Sequence, residues 1–188
     1  MSAMTKAAIR ILLPMLLSVP AAAWEARPEQ VADGVYAFIG ETGARSQDNE
    51  GMNANTGFVV TPDGVVVIDS GASFEAARKI HDAIRRVTDL PVKWVVNTGG
   101  QDHRWLGNGH FAALGIPVMA HENTVRDNAA RGAAQAAALQ DVLQERFAGT
   151  RPTPASRTFR TRERIELGGV PIELIFAGGG HTPGDLIV

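Results

Sequence analysis

The chain has 188 residues, of which 45% are hydrophobic and 20% charged, and its formal net charge is −2. This length and composition fit one globular domain with its own core and argue against global disorder. No long block of like charge occurs, so we predict no nucleic-acid partner. The chain has no cysteine, which excludes disulfides, thiolate zinc ligands and cysteine nucleophiles.

The N-terminus has the pattern of a secretory signal peptide. Lys6 and Arg10 supply positive charge, residues 11–19 are mostly apolar, and residues 21–23 are three alanines. The apolar run is short for a membrane span and ends in a small-residue cleavage pattern. We therefore predict a signal peptide over residues 1–23, a periplasmic or secreted protein, and no transmembrane segment after cleavage. The alternatives are an N-terminal membrane anchor and a buried helix.

The first half of the remaining chain predicts strands and one helix. Residues 35–39 form a short strand candidate, and residues 43–53 are a polar loop. A hairpin is predicted over residues 57–68, because Pro62-Asp63-Gly64 is a typical turn sequence. Its second strand is almost continuously apolar, as in a strand buried on both faces.

A helix follows Ser73, which can cap it. Apolar residues recur there at helical spacing, Pro91 ends the helix, and residues 92–96 predict the next strand. This β-α-β unit indicates a sheet covered by helices. The predicted apolar face consists of Phe74, Ala77, Ile80, Ile84 and Val87.

The second half predicts further helices and strands around a linker over residues 150–156. The final residues, 185–188, of which the last three are apolar, predict the start of another strand. An exposed apolar edge favours association, so we expect domain 24–188 to be incomplete at its C-terminus, the alternative being a short edge strand. The other predicted elements are a short helix after residues 97–108, a strand at 116–120, a helix at 128–147, and a hairpin of strands 164–167 and 172–176.

Two polar segments follow predicted strands. Residues 97–108 read NTGGQDHRWLGN, and residues 178–185 read GGGHTPGD. Polar side chains at the C-terminal end of a strand are typical of a site, and three glycines allow close backbone approach. A single histidine such as His181 is by itself more typical of a hydrogen-bonded structural residue.

These segments resemble the metallo-β-lactamase superfamily over about residues 31–188. The resemblance implies an α/β fold, the αββα sandwich, of which this chain would form the first half to two-thirds. It implies metal-dependent hydrolysis of an ester, thioester or lactam bond, with zinc as the cofactor. The matching segments, in family order, are Asn55-Thr56-Gly57-Phe58, Asp63-Gly64, Val67-Ile68-Asp69-Ser70-Gly71, Asn97-Thr98, Gly107-Asn108 and Gly180-His181-Thr182-Pro183-Gly184.

The ligand motif departs from the family pattern. That pattern after the Asn-Thr pair is His-x-His-x-Asp-His, and a gap-free reading places Gly99, Gln101, His103 and Arg104 on its four ligand positions. Only His181 matches a ligand residue for residue. A one-residue slip would place Asp102-His103 on the Asp-His pair, at the cost of an insertion. Gln101 is a weak neutral ligand, and Arg104 puts a fixed cation where a cation should bind.

The candidate site follows from this resemblance. Asp102 is the candidate catalytic residue and His103 and His181 are the candidate metal ligands. Asp69, Asn97 and Thr98 match positions that would order the metal loop by hydrogen bonds, although Asp69 is equally suited to cap a turn. The alternative is a metal-free polar network in which Asp102 pairs with Arg104 or His103. The cofactor is therefore zinc or none.

Three hypotheses remain open at the level of sequence. The chain is a metallo-hydrolase acting on an unidentified small molecule, a catalytically silent periplasmic binding or accessory protein, or a fragment without a function of its own. Whether it is an enzyme is left undecided. Of the other residues, we expect His121 to cap a helix or lie on the surface, His81 and His110 to lie on the surface, and Trp105 to pack in the core.

Overall fold

The computed structural model describes residues 24–188, so the predicted signal peptide lies outside the described residues. These residues form three layers: helices, a seven-stranded sheet, and a two-stranded hairpin. The strands of the large sheet are β1 Pro28–Ala32, β2 Val35–Phe38, β3 Thr56–Thr61, β4 Gly64–Ile68, β5 Val92–Asn97, β6 Val118–His121 and β7 Arg157–Phe159; the hairpin consists of β8 Arg162–Leu167 and β9 Val170–Ile175. The α-helices are α1 Phe74–Val87, α2 Asp102–Trp105, α3 Asn108–Ala113 and α4 Glu122–Leu143, and a 3-10 turn covers Gln144–Phe147.

The large sheet is antiparallel in its first half and parallel in its second. Its strands lie in chain order from β1 to β7, and the pairing becomes parallel from β4 onward. The tight turn at Pro62-Asp63 joins β3 to β4 and sets a register in which Val60 lies opposite Val65. Because β4 to β7 run in the same direction, the loops that follow them emerge at one edge of the sheet.

Apolar side chains cover both faces of the central strands. Val65 and Val67 are fully buried in the core against the helices, whereas Val66 is fully buried in the second core, against the β8–β9 hairpin. This alternation explains why β4 reads as a continuous apolar run. The predicted α/β layering is thereby confirmed.

Helix α1 shows how local signals define an element. The Ser73 hydroxyl accepts a hydrogen bond from the Ala76 amide at 3.1 Å, as expected of an N-cap. The predicted face is buried at Ala77, Ile80 and Ile84. It reaches solvent at Val87, which is 36% exposed in the last turn.

Some predicted boundaries were wrong. Strands β1 and β7 were not predicted, and α4 begins at Glu122, six residues before the predicted start at Asn128. The final residues form one isolated bridge, in which Ile175 and Ile187 exchange two hydrogen bonds of 2.9 Å. Residues 185–188 do not form the predicted strand. Within residues 24–188, no helix is long and apolar enough to cross a bilayer.

Candidate functional site

The loops after β4, β5 and β9 meet at the C-terminal edge of the parallel strands. The Leu186 amide donates to the Thr98 carbonyl at 2.9 Å. Nearby, the Gly100 amide donates to the Thr182 hydroxyl at 2.9 Å. These bonds join the segments 97–108 and 178–185, which the sequence singled out separately.

Asn97 anchors the loop that carries the family motif. Its buried side-chain amide donates to the Arg104 carbonyl at 2.9 Å and to the Asn108 side-chain oxygen at 3.0 Å. The Ser70 amide donates to the same Arg104 carbonyl at 2.9 Å. A buried asparagine thus holds both ends of the loop, which fixes the side chains between them.

Asp69 is a buried carboxylate at the end of β4. It accepts hydrogen bonds from the Thr98 amide at 2.7 Å and from the Thr98 hydroxyl at 2.6 Å. Its backbone adopts a left-handed conformation, with φ of 63°. Burial raises the pKa of Asp69 from 3.8 to about 6, although the Thr98 hydrogen bonds and the charge of Arg104 act in the opposite direction.

Arg104 lies between the two loops. Its Nη1 donates to the Thr98 hydroxyl at 3.2 Å and lies 3.6 Å from the Asp185 carboxylate. Asp185 also accepts hydrogen bonds from the amide and the hydroxyl of Thr182. We refer to Asp69, Thr98, Arg104, Thr182 and Asp185 as the arginine network.

The charge balance in this network depends on Asp185. Burial alone would raise the pKa of Asp185, but hydrogen bonds from Thr182, the charge of Arg104 and the His181 amide outweigh it, so that the pKa is lowered. Asp185 is therefore ionised at neutral pH and forms a stable counter-ion for the guanidinium.

Gly99 stands at the first ligand position of the motif and faces the arginine network. A Cβ atom placed on Gly99 would overlap the Asp185 carboxylate and would lie 2.7 Å from Arg104 Nη1. Gln101, at the second position, precedes α2 without making a side-chain cap. The space next to the first ligand position is thus filled by protein side chains.

Asp102 and His103 lie on α2. Arg45, on the loop before β3, pairs with one Asp102 oxygen, and the His103 amide donates to the other at 2.9 Å. Of the two partners predicted for Asp102 in a metal-free network, Arg104 was wrong, because Arg45 is the arginine that contacts Asp102, whereas His103 does lie next to Asp102. His103 Nδ1 lies 3.4 Å from the Asp102 carboxylate, and it is buried without a hydrogen-bond partner among residues 24–188.

Electrostatics keep His103 neutral. Burial lowers the pKa of His103 from 6.5 to about 4, and the charges of Arg104, Arg45 and His181 add to the effect. His181, the other candidate ligand, is exposed, and its amide donates to Asp185 at 2.7 Å. The two candidate metal ligands therefore lie in the same region of the molecule.

The described residues do not fit a standard zinc centre. Among residues 24–188, no group of three or more His, Cys, Asp or Glu side chains is arranged to hold a metal ion. A catalytic zinc site needs three protein ligands and one open position. Here one ligand position has no side chain, another carries a guanidinium that is always charged, and the adjacent carboxylate already pairs with that guanidinium.

The remaining histidines are not simple surface residues. His121 caps α4 as predicted, since its Nδ1 accepts from the Asn123 amide at 3.1 Å, but it is buried and stacks on Phe176 with ring centroids 3.8 Å apart. His81 and His110, which were predicted to lie on the surface, are half-buried and only partly exposed. Trp105 lies in the core, as predicted.

Sequence reasoning missed two residues of the site. Arg45 lies 57 residues before its partner Asp102, in a polar loop without a recognisable motif. Asp185 was included in the polar segment 178–185 and in the predicted last strand, but it was not predicted to be a site residue. The one available signal was the Thr-Pro-Gly-Asp sequence, which is typical of a turn whose carboxylate accepts hydrogen bonds from nearby amides.

A mixed sheet with helices on one face, a second small sheet on the other, and polar loops at the ends of its parallel strands defines a class of α/β sandwich proteins. The model of one family, the metallo-beta-lactamase superfamily, matches residues 49–188. The chain belongs to this superfamily.

Solved structures confirm the fold. A metallo-beta-lactamase from Pontibacter korlensis has a TM-score of 0.63 and 22% identity, over 85% of this chain and 64% of that one. The DIM-1 metallo-beta-lactamase exposed to ceftazidime has a TM-score of 0.65 and 17% identity, over 87% and 64%. A Cronobacter sakazakii metallo-beta-lactamase, described by a HARLDQ motif, has a TM-score of 0.60 and 22% identity, over 85% and 58%. The chain thus spans less than two thirds of each. No curated protein sequence matches it.

Proposed function

We propose that this chain is a catalytically silent member of the superfamily, a periplasmic binding or accessory protein that keeps the fold but not the dinuclear zinc site. The observation that carries the proposal is the position of Arg104. Its guanidinium contacts the Thr98 hydroxyl and pairs with Asp185, beside the first ligand position at Gly99.

Electrostatics support this proposal. Arginine stays protonated at any pH that the protein survives, so the repulsion between its charge and an incoming divalent ion is permanent. At a separation of about 4 Å, a monovalent and a divalent cation repel by roughly 8 kcal/mol at an effective dielectric constant of 20. Asp185, which the guanidinium already neutralises, offers little compensation.

The proposed binding surface lies on the solvent side of the arginine network. Arg45 has a side chain that is 36% exposed, and His181 is exposed in the same region, since both act on His103. His103 lies beneath this surface as a neutral imidazole, and its Nδ1 is buried. The exposed side chains offer hydrogen-bond donors and acceptors to a small polar molecule, which ligand screening would identify.

A second candidate is metal-dependent hydrolysis of an ester, thioester or lactam, as family membership supports. The observation that favours it is a neutral imidazole, His103, beside the buried carboxylate of Asp102, since both groups are able to coordinate a metal. The HARLDQ motif of the Cronobacter structure also contains an arginine and a glutamine, and the run at positions 99–104 contains Gln101 and Arg104.

Metal analysis separates the two candidates. The full chain, without an affinity tag, is dialysed against zinc, and its metal content and its turnover of a lactam, a thioester and an activated ester are measured. We expect less than about a tenth of an equivalent of zinc and no turnover. Turnover that is abolished both by a chelator and by His181→Ala would overturn the proposal.

A triple variant provides the matched control. Replacing Gly99, Gln101 and Arg104 together with histidine removes the guanidinium and supplies three imidazoles, so zinc binding is expected to appear. The single variant Gly99→His is expected to bind no zinc and to be less stable, because its side chain meets the Asp185 carboxylate and Arg104. If Gly99→His alone binds zinc, the arginine network does not block the site.

Export is part of the same proposal and rests on the basic and apolar residues of segment 1–23. Cleavage after Ala23 would leave Trp24 as the first residue. Its side chain is 7% exposed, so the mature chain would start in the core. N-terminal sequencing of the protein recovered from the periplasm tests this, and an intact Met1 on a cytoplasmic protein contradicts it.

A further inference from the structure

Two histidines face each other outside the candidate site. His81 lies on α1 and His110 on α3, and His81 Nδ1 is 3.0 Å from His110 Nε2. Their ring centroids are 5.3 Å apart and the ring planes meet at 65°. At this distance the two nitrogens share one proton, because two lone pairs cannot approach so closely.

Apolar side chains hold the pair in place. The ring of His110 packs edge-on against Phe74 and Phe111, with centroids 5.3 and 5.1 Å apart, and His81 lies 5.7 Å from Phe111. Both imidazoles remain partly exposed, so an ion from solvent is able to reach them. The pair is thus positioned by packing against the core and accessible at its outer edge.

Burial favours the neutral form of both imidazoles. Burial lowers the pKa of His81, with Arg85 adding to the effect, and burial and the charge of His81 lower the pKa of His110 to about 4. The nearest carboxylates, Glu75 and Asp82, are both held by Arg78, at 2.6 and 2.7 Å. Protons therefore compete weakly for the two nitrogens. Both lone pairs become available to a metal when the imidazole that donates the shared proton changes tautomer, releasing that proton to solvent and taking one up on its other ring nitrogen.

We propose that His81 and His110 form a binding site for a divalent transition metal ion that prefers right-angled coordination, copper or nickel, with water completing the shell. Imidazole nitrogens bind such ions at about 2.0–2.1 Å, so two nitrogens 3.0 Å apart subtend an angle of about 90–95° at the ion. Adjacent positions of a tetragonal site have this angle. A tetrahedral ion such as zinc would require the nitrogens to separate to about 3.3–3.4 Å.

The proposal is independent of the function assigned to the arginine network. It needs two protein ligands, so it agrees with the absence, among residues 24–188, of any cluster of three or more metal-binding side chains. Copper is expected to bind more tightly than nickel or zinc, following the usual order for nitrogen ligands.

Titration with copper(II) tests the proposal. The full chain without an affinity tag is treated with a chelator, dialysed, and titrated while electron paramagnetic resonance is recorded. We expect one equivalent of tetragonal copper with hyperfine coupling to two nitrogens. His81→Gln and His110→Gln are each expected to abolish this one-equivalent step, with circular dichroism confirming that the variants are folded.

A matched variant locates the ion. The double variant His103→Ala, His181→Ala removes the candidate ligands of the family site and is expected to leave the copper step unchanged. If that variant loses the step, or if both glutamine variants retain it, the proposal is wrong. Should the glutamine variants fail to fold, selective paramagnetic broadening of the His81 and His110 imidazole signals in the unmodified chain decides the question, and broadening at other histidines overturns the assignment.

Discussion

Replacing Asp69 with asparagine tests the electrostatics of the candidate site. Burial raises the pKa of Asp69 from 3.8 to about 6 in the folded chain. Between these values the folded state binds more protons than the unfolded state, so stability falls as the pH rises. A pKa difference of roughly two units between the folded and unfolded states corresponds to about 3 kcal/mol in the free energy of unfolding. This contribution is present well below pH 3.8 and is lost above pH 6.

Asparagine does not titrate, so the Asp69→Asn variant lacks this loss. Its free energy of unfolding should increase by about 2.4 kcal/mol more than that of the wild type between pH 4 and pH 7. A weaker hydrogen bond from Thr98 lowers the stability of the variant by an amount that does not depend on pH. The slope of the difference, rather than its absolute value, therefore carries the test.

His103 provides the opposite control. Burial lowers its pKa from 6.5 to about 4, so the unfolded state binds more protons in this window and stability rises with pH. In the wild type, His103 should raise the free energy of unfolding by about 3 kcal/mol between pH 4 and pH 6.5, and His103→Gln should remove this rise. Urea unfolding followed by tryptophan fluorescence measures all three proteins, and parallel pH profiles for the wild type and Asp69→Asn would refute the burial argument.

Three further substitutions probe packing and ion pairs. Arg104→Met should lower stability by about 1–2 kcal/mol and raise the pKa of Asp69 further, because the guanidinium charge lowers that pKa. Thermal unfolding at pH 5 and pH 8 measures both effects, and equal losses at the two pH values would contradict the coupling between Arg104 and Asp69. Gly132→Ala should lower the free energy of unfolding in urea by about 1–3 kcal/mol, because its Cβ would lie 2.8 Å from the Trp105 ring. A stabilised variant would show that α4 shifts away from Trp105 without cost. Lys79→Met should cost about 2 kcal/mol in the same assay, since Lys79 lies 2.5 Å from Glu50, which is 1% exposed. A change under about 0.5 kcal/mol would assign the stabilisation of Glu50 to Arg146, which lies 2.8 Å from the same carboxylate.

The elements that could be predicted are those specified by local chemistry. Helix α1 was found because its cap, its apolar spacing and the helix-breaking Pro91, four residues after its last residue Val87, lie within one short segment. Strand β1 was missed because four of its five residues are exposed, so it lacks the apolar alternation that identifies a strand. Its pairing with β2 is supplied by the fold rather than by its own sequence.

The candidate site was predicted in its location but not in its contacts. The motif residues cluster at one sheet edge, as the positions of the strand ends imply. The partners of these residues come from far along the chain: Arg45 is 57 residues from Asp102, and Thr182 is 82 residues from Gly100. Pairing at such distances depends on the three-dimensional packing of loops, which single-sequence patterns do not encode.

The raised pKa of Asp69 and the poor fit to zinc have one physical origin. A single guanidinium serves two carboxylates, Asp69 and Asp185, and it pairs directly with Asp185. Asp69 is left with hydrogen bonds from Thr98 and only distant positive charge, so burial dominates and the carboxyl retains its proton up to about pH 6. A divalent ion in place of the guanidinium would hold Asp69 ionised at lower pH. The pH dependence of stability expected from Asp69 therefore indicates that a single positive charge, that of Arg104, occupies this place. Zinc bound to the triple histidine variant should reduce that pH dependence.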